Sequence, residues 1–303
     1  YLAGSFFFTM IVMLKVLLKY LSLLILPLNL NINHTISEGI LSFQEVDLSN
    51  AVVLKQSFLD YQVLASLIII IILLIISIAT FKKNPLITFC IGWFFITLIP
   101  VSNIMPISAL MTERYIYLAS FSFCLLVALF FSYATKKLKW LSLLSFILLV
   151  VFYSSQTFFR NQIWKDQLTL FSDTVKKSPN STFAHHNLGI AYKNLGNLDL
   201  AIKELKIAAD NNPKNIAKVN FNLATAYFEN GNLDLAIDQF DKSLESDANY
   251  YEAYFHLGDI YSETGDIKLA VENYNTSIRI NPKFYDAHLN LGVVYAKQGE
   301  IDK

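Results

Sequence analysis

TFAHHNLGIAYKNLGNLDLAIKELKIAADNNP, residues 182–213, decides the fold of the second half of this chain. It returns as AKVNFNLATAYFENGNLDLAIDQFDKSLESDA from Ala217 and as YEAYFHLGDIYSETGDIKLAVENYNTSIRINP from Tyr251. A shortened copy, YDAHLNLGVVYAKQGEIDK, runs from Tyr285. The period is near 34 residues, with one residue inserted between the first two copies near Asn215. Each copy holds two helix-period apolar patterns separated by a glycine. Leu188, Leu223, Leu257 and Leu291, with Tyr192, Tyr227, Tyr261 and Tyr295, mark the core of the first helix of each pair. Small residues stand where two helices must approach closely: Gly189, Ala224, Gly258 and Gly292 on the first helix, Ala201, Ala236 and Ala270 on the second. Gly196, Gly231, Gly265 and Gly299 sit where a first helix ends in a left-handed cap, and Pro213 and Pro282 close their copies.

This period and pattern are those of the tetratricopeptide repeat, antiparallel helix pairs stacked into an α-solenoid. Residues 182–303 are read as three full repeats and a truncated fourth. Before them, Trp164–Pro179 (WKDQLTLFSDTVKKSP) looks like a lone second helix with Phe171 in the usual aromatic place. Residues 160–181 are therefore expected to form an adaptor. Asn187, Asn222, His256 and Asn290 recur at one position of the first helices. Two readings fit: the row pairs with the backbone of an extended peptide, or its side chains tie one repeat to the next.

The first half has a different composition. Residues 1–159 are mostly Leu, Ile, Phe and Val in five apolar runs: 1–27, 63–80, 86–101, 116–135 and 141–159. Each is close to the roughly 20 residues that cross a bilayer core, and 86–101 is short. About five membrane spans are expected, so the whole is an all-α chain: a polytopic transmembrane helix bundle followed by a solenoid. Asn29–Gln62 reads as an extramembrane loop, with a glycosylation sequon at Asn33. Pro27 stops the first run. Lys82 and Lys83 lie in one link and Lys136, Lys137 and Lys139 in another, an even number of spans apart. The positive-inside rule puts both links in the cytoplasm and the repeats on the exocytoplasmic side.

Charge follows the same division. The chain has 24 basic and 24 acidic residues, but the first 158 residues carry a surplus of four bases and the rest a surplus of four acids. Neither half is basic enough for a nucleic-acid surface. Cys90 and Cys124 both lie in apolar runs and no metal-ligand spacing occurs, so neither metal nor cofactor is expected. Tyr1 is not a start residue and Lys303 falls inside a repeat, so the sequence reads as a segment cut at both ends.

IPVSNIMPISALMTERYIYL, Ile99–Leu118, places Glu113 and Arg114 at the lip of a span. Ionisable residues there are a functional hypothesis, against the alternative of a short loop locked by its own ion pair. Lys15 and Lys19, four apart and on one face of the first apolar run, either snorkel to the interface or face a lipid phosphate.

A polytopic segment ending in NIMPISALMTERYIYLASFSF, then WKDQLTLF and external repeats, resembles the transmembrane-and-tetratricopeptide-repeat proteins. These are O-mannosyltransferase-like enzymes of the GT-C glycosyltransferase class. YLSLLILPLNLNINHT is similar to the segment before that family's later membrane helices. The resemblance implies transfer of a mannose-like sugar from a polyprenyl-phosphate donor, acting as substrate, to Ser or Thr of an exported protein held by the repeats. It also implies a catalytic acid in an external loop upstream of Tyr1. By position, Arg114 is the candidate for the donor phosphate, oriented by Glu113, with Lys15 and Lys19 approaching the same leaflet. The other class of function is a non-catalytic membrane anchor whose solenoid scaffolds an envelope complex.

Overall fold

The computed structural model describes residues 6–28, 30, 35–37, 40–41, 60–102, 113–136, 138–211 and 216–297. Among the described residues the chain is all-α apart from a two-stranded antiparallel pairing of Thr35–Ser37 (β1) with Ile40–Leu41 (β2). It divides into two compact units, Tyr1–Ser181 and Thr182–Lys303. The Asn33 sequon, the insertion near Asn215, Lys137 and Gly299 lie outside the described residues.

The first unit holds a helix at each apolar run: α1 (Phe6–Ile25), α2 (Tyr61–Thr80), α3 (Pro85–Leu98), α4 (Tyr117–Ala134) and α5 (Lys139–Ile163). α1 ends two residues before Pro27. Asp60 caps α2 by accepting from the Gln62 N–H, and Pro85 opens α3 where its missing N–H costs nothing. The short run at 86–101 is α3 extended by a 3-10 turn, Ile99–Val101.

Among the described residues three helices, α2, α4 and α5, are long and apolar enough to cross a membrane. Within them 11%, 11% and 6% of the most apolar stretch is buried. Leaving one Leu or Ile side chain in water forgoes about 1.5–3 kcal/mol, so so much bare apolar surface requires lipid around it. This unit belongs in a membrane. Its packed centre joins Val12, Val16, Tyr20, Leu23 and Leu24 of α1 to Phe94, Leu98 and Ala119. Trp93 Nε1 donates to the Leu118 carbonyl at 3.0 Å and pins α3 to the start of α4.

α5 continues to Ile163, so residues 160–163, expected in the adaptor, extend the last apolar helix instead. The adaptor's own helix is α6 (Gln167–Lys177), capped by Asp166 accepting from the Thr169 N–H at 2.8 Å. It belongs to the first unit. Arg160 reaches Asp173 of α6 at 3.3 Å, and Lys177 holds the same carboxylate at 2.7 Å while donating to the Leu30 carbonyl at 2.8 Å. Tyr153 donates toward the Leu24 and Ile25 carbonyls that end α1.

The second unit is the solenoid: α7 (Thr182–Asn194), α8 (Leu198–Asp210), α9 (Ile216–Glu229), α10 (Leu233–Ser246), α11 (Tyr251–Thr264), α12 (Ile267–Ile280) and α13 (Tyr285–Lys297). Gly196, Gly231 and Gly265 take φ of 75°, 78° and 89° between paired helices, which a side chain would strain. The close-approach positions behave as their size suggests, with one exception. A Cβ on Gly189 would stand 2.6 Å from Leu205 Cγ, and one on Gly258 would stand 2.7 Å from the Tyr274 ring. Gly292 has nothing within 4 Å. It lies on α13, and no helix after α13 is among the described residues.

This difference gives a test. Gly189→Ala and Gly258→Ala force Leu205 and Tyr274 aside and should lower the stability of the repeat unit by about 1–3 kcal/mol. Gly292→Ala in this chain should be neutral or stabilising, by up to about 1 kcal/mol from helix propensity. Thermal unfolding followed by helical circular dichroism measures all three.

Candidate functional site

The row at Asn187, Asn222, His256 and Asn290 lies on α7, α9, α11 and α13, each member half-buried. The four side chains do not behave alike. Asn187 Nδ2 donates to the Phe183 carbonyl one turn back, at 2.7 Å. Asn222 Nδ2 lies 2.8 Å from His186 Nε2 of the preceding repeat. Asn290 Nδ2 donates to Asp259 Oδ1 at 2.8 Å. His256 leaves the row: its ring stacks on Phe240 at 5.7 Å and 12°, with Phe221, Phe228 and Phe255 around it. Its Nδ1 is buried without a hydrogen bond, 3.4 Å from Asp259 Oδ2. The four phenylalanines surround the ring with aromatic contacts.

Of the two roles its spacing allowed, the row shows the tie between repeats, and only in part. Asn222 and Asn290 bridge neighbouring repeats, while Asn187 bonds within its own helix. Sequence reading missed the partners. Asp259 is a hub, accepting from Asn290 and from the Tyr274 hydroxyl at 2.7 Å. Burial raises the Tyr274 pKa, so it stays a donor. Lys193 ties α7 to α9 through Thr225 Oγ1 at 3.1 Å and Glu229 at 3.3 Å. Of these residues, Asp259 and Thr225 fall three positions, about one helical turn, beyond the row.

In the membrane unit the expected cations separate. Lys15 is 5% exposed and its ammonium lies 2.9 Å from Asp60 Oδ2. The Lys15 hydrogen bond holds the Asp60 pKa below its ordinary value, against the opposing effect of burial. Ser66 Oγ donates to the Leu14 carbonyl at 2.6 Å, so α1 and α2 are joined twice in polar terms. Lys15 is therefore committed to an ion pair with a partner 45 residues away that no local pattern announces. Lys19 is half-buried and has no partner for its ammonium among the described residues. Glu113 and Arg114 open a 3-10 turn, Glu113–Ile116, that leads directly into α4. Their side chains lie outside the described residues. Tyr115 and Ile116 of that turn pack against the cluster formed by the C-terminal half of α1, the half that carries Lys19.

Residues 186–251 match the family model for the tetratricopeptide repeat and residues 258–299 a second model, TPR repeat. Human protein O-mannosyl-transferase TMTC3 is 32% identical over 124 residues, covering 39% of this chain and 13% of the relative. Mouse TMTC3 is 29% identical over 172 residues, covering 54% and 18%. Human TMTC1 is 25% identical over 180 residues, covering 55% and 20%. The chain is a relative of these proteins, and it spans no more than a fifth of their length in each of the three. Among solved structures it resembles MamA, at 27% identity and a TM-score of 0.42, covering 45% of this chain and 78% of that one. It also resembles YrrB, described as a TPR protein with an unusual peptide-binding site, at 20% identity and a TM-score of 0.39, covering 56% and 84%.

The Asn222–His186 contact carries a pH signature. Burial, and then the Lys218 cation, push the His186 pKa from 6.5 down to about 4. The unfolded chain therefore binds more protons between those values than the folded one. Stability is complete above pH 6.5 and falls as the pH drops towards 4, by at most about 3 kcal/mol from this residue. His186→Gln keeps a side chain able to bond Asn222 and removes the titration. Denaturant unfolding at pH 7 and pH 4.5 should show a smaller loss for the variant than for the parent.

Proposed function

We propose that this chain is part of a membrane glycosyltransferase that moves a mannose-like sugar from a polyprenyl-phosphate donor to Ser or Thr of an exported protein, with the repeats holding the acceptor. The observation that supports this most is the union, in one chain similar to protein O-mannosyl-transferases, of apolar helices that need lipid and a repeat array. An acceptor site in the same chain as a lipid-embedded donor site raises the effective concentration of one substrate at the other.

The donor is a substrate, and no cofactor enters the proposal. Its phosphate needs a cation. Arg114 offers two parallel donors, Glu113 orients it, and Lys19 adds charge from α1. Lys15 contributes less directly, because its pair with Asp60 fixes the start of α2. The active face is exocytoplasmic: Lys82 and Lys83 are exposed in the turn after α2, and Lys136 and Lys139 flank the turn after α4. Both turns carry the basic residues that favour the cytoplasmic side. About five spans then bring the repeats out on the opposite side.

Two experiments bear on this. Topology reporters fused after Lys139 and after Pro179 should report opposite sides of the membrane, and two cytoplasmic signals would end the proposal. In the intact protein, Arg114→Ala should lose most of its affinity for the donor, since a charge-assisted hydrogen bond is worth about 1.5–3 kcal/mol, or one to two orders of magnitude. Arg114→Lys should keep part of it. Unchanged donor binding by a well-folded Arg114→Ala protein would remove Arg114 from the site, and absence of donor binding in the parent would favour a scaffold.

A further inference from the structure

The second helices carry a repeated residue that the packing of the array does not use. Leu200 of α8, Leu235 of α10 and Leu269 of α12 stand immediately before Ala201, Ala236 and Ala270, the fully buried residues of the close approach. One step along a helix is a rotation of about 100°, so each leucine leaves the packed face that its alanine enters. The three leucines are 44%, 48% and 38% exposed. A single exposed leucine is ordinary on a protein surface. The same position left bare in every repeat whose second helix is described makes a row along the array.

The margin of this row is charged. Asp199, Asp234 and Lys268 precede the leucines, and Lys203, Asp238 and Glu272 follow one turn later, all of them exposed. Four acids stand there against two bases, and Lys242 pairs with Asp238 at 2.6 Å. Each repeat adds a layer about one helix thick, roughly 10 Å along the array. Seven residues of an α-helix rise about 10.5 Å. A helix laid along the array with one apolar residue per heptad therefore meets one leucine per repeat.

We propose that Leu200, Leu235 and Leu269 form a docking row for an amphipathic helix of a partner protein, with one apolar residue in register per heptad and basic residues beside it. The acidic margin favours such a helix over an anionic lipid surface, which the same charges repel. The row lies on second helices, apart from the first-helix asparagines, and it adds a partner that the transferase reading does not call for.

The probe is a labelled helical peptide of three heptads, built of Ala and Gln, with a diazirine leucine once per heptad and lysines flanking it. It is titrated by fluorescence anisotropy against the whole chain in nanodiscs of zwitterionic lipid, with empty discs as the blank. Irradiation and mass spectrometry then map the cross-links. The peptide should bind and should cross-link to α8, α10 and α12. A Leu200→Gln, Leu235→Gln, Leu269→Gln triple variant with unchanged helical circular dichroism should bind at least about tenfold more weakly, since burying one leucine is worth that much. A peptide with the diazirine leucine at every fifth residue, out of register with the layers, should bind the parent as weakly. Equal binding by parent and triple variant would overturn the row, and so would cross-links confined to lipid or to residues 1–181. Equal binding of the two peptides would overturn the helix match, and no binding to the parent would overturn the proposal outright. Discs that pair through the parent chain but not through the triple variant would make a second copy the occupant and overturn the partner helix.

Discussion

Two helices can shield each other's apolar faces only as closely as their smallest facing residues permit, and the repeat unit depends on that limit. Gly189 lies under Leu205 and Gly258 under Tyr274, at distances that a single added carbon would violate. Ala201, Ala236 and Ala270 are fully buried on the opposite helices. From this approach follow the pairing of helices, the stacking of pairs, and the regular return of one first-helix position along the array. The asparagine row is a consequence of that regularity. Asn222 and Asn290 reach from one repeat to the next because the packing beneath them brings His186 beside Asn222 and Asp259 beside Asn290.

The membrane unit is held under a different constraint. With lipid on most of its surface, apolar contact with a neighbour gains little over contact with a hydrocarbon chain, and polar groups must find partners inside the protein. The observed joints are of that kind. Lys15 meets Asp60, Ser66 meets the Leu14 carbonyl, Tyr153 caps the end of α1, and Asp173 is shared by Arg160 and Lys177. A buried ion pair is weak evidence for net stability, yet removal of one member leaves an uncompensated charge and costs about 3–5 kcal/mol. Such pairs fix which helix meets which. That role suits a segment whose helices must hold an adaptor helix in a set position.

Much of this was legible in the residues. Apolar runs of near-spanning length became helices at the expected places, and the 34-residue period marked each repeat pair because the local pattern and the packing agree. The discrepancies have physical causes. Residues 160–163 stay in α5 because nothing there breaks the helix until the turn before Asp166. Gly292 has the close-approach residue without a facing helix among the described residues. His256 keeps the row's spacing but not its chemistry, since four phenylalanines surround its ring. Lys15 looked like one of a matched pair with Lys19, and a contact with Asp60 across 45 residues gave the two different roles. Long-range polar pairing has no periodicity, and so no local signature.

The central proposal is that one protein joins a lipid-linked sugar donor to a peptide acceptor. Proteoliposomes of the intact protein, supplied with a polyprenyl-phosphate mannose and a threonine-containing peptide, test it most directly by mass spectrometry of the peptide. The account predicts a gain of one hexose located on a Thr or Ser hydroxyl. A peptide that binds the folded protein but never gains a sugar would contradict the transferase and leave a membrane-anchored scaffold in its place.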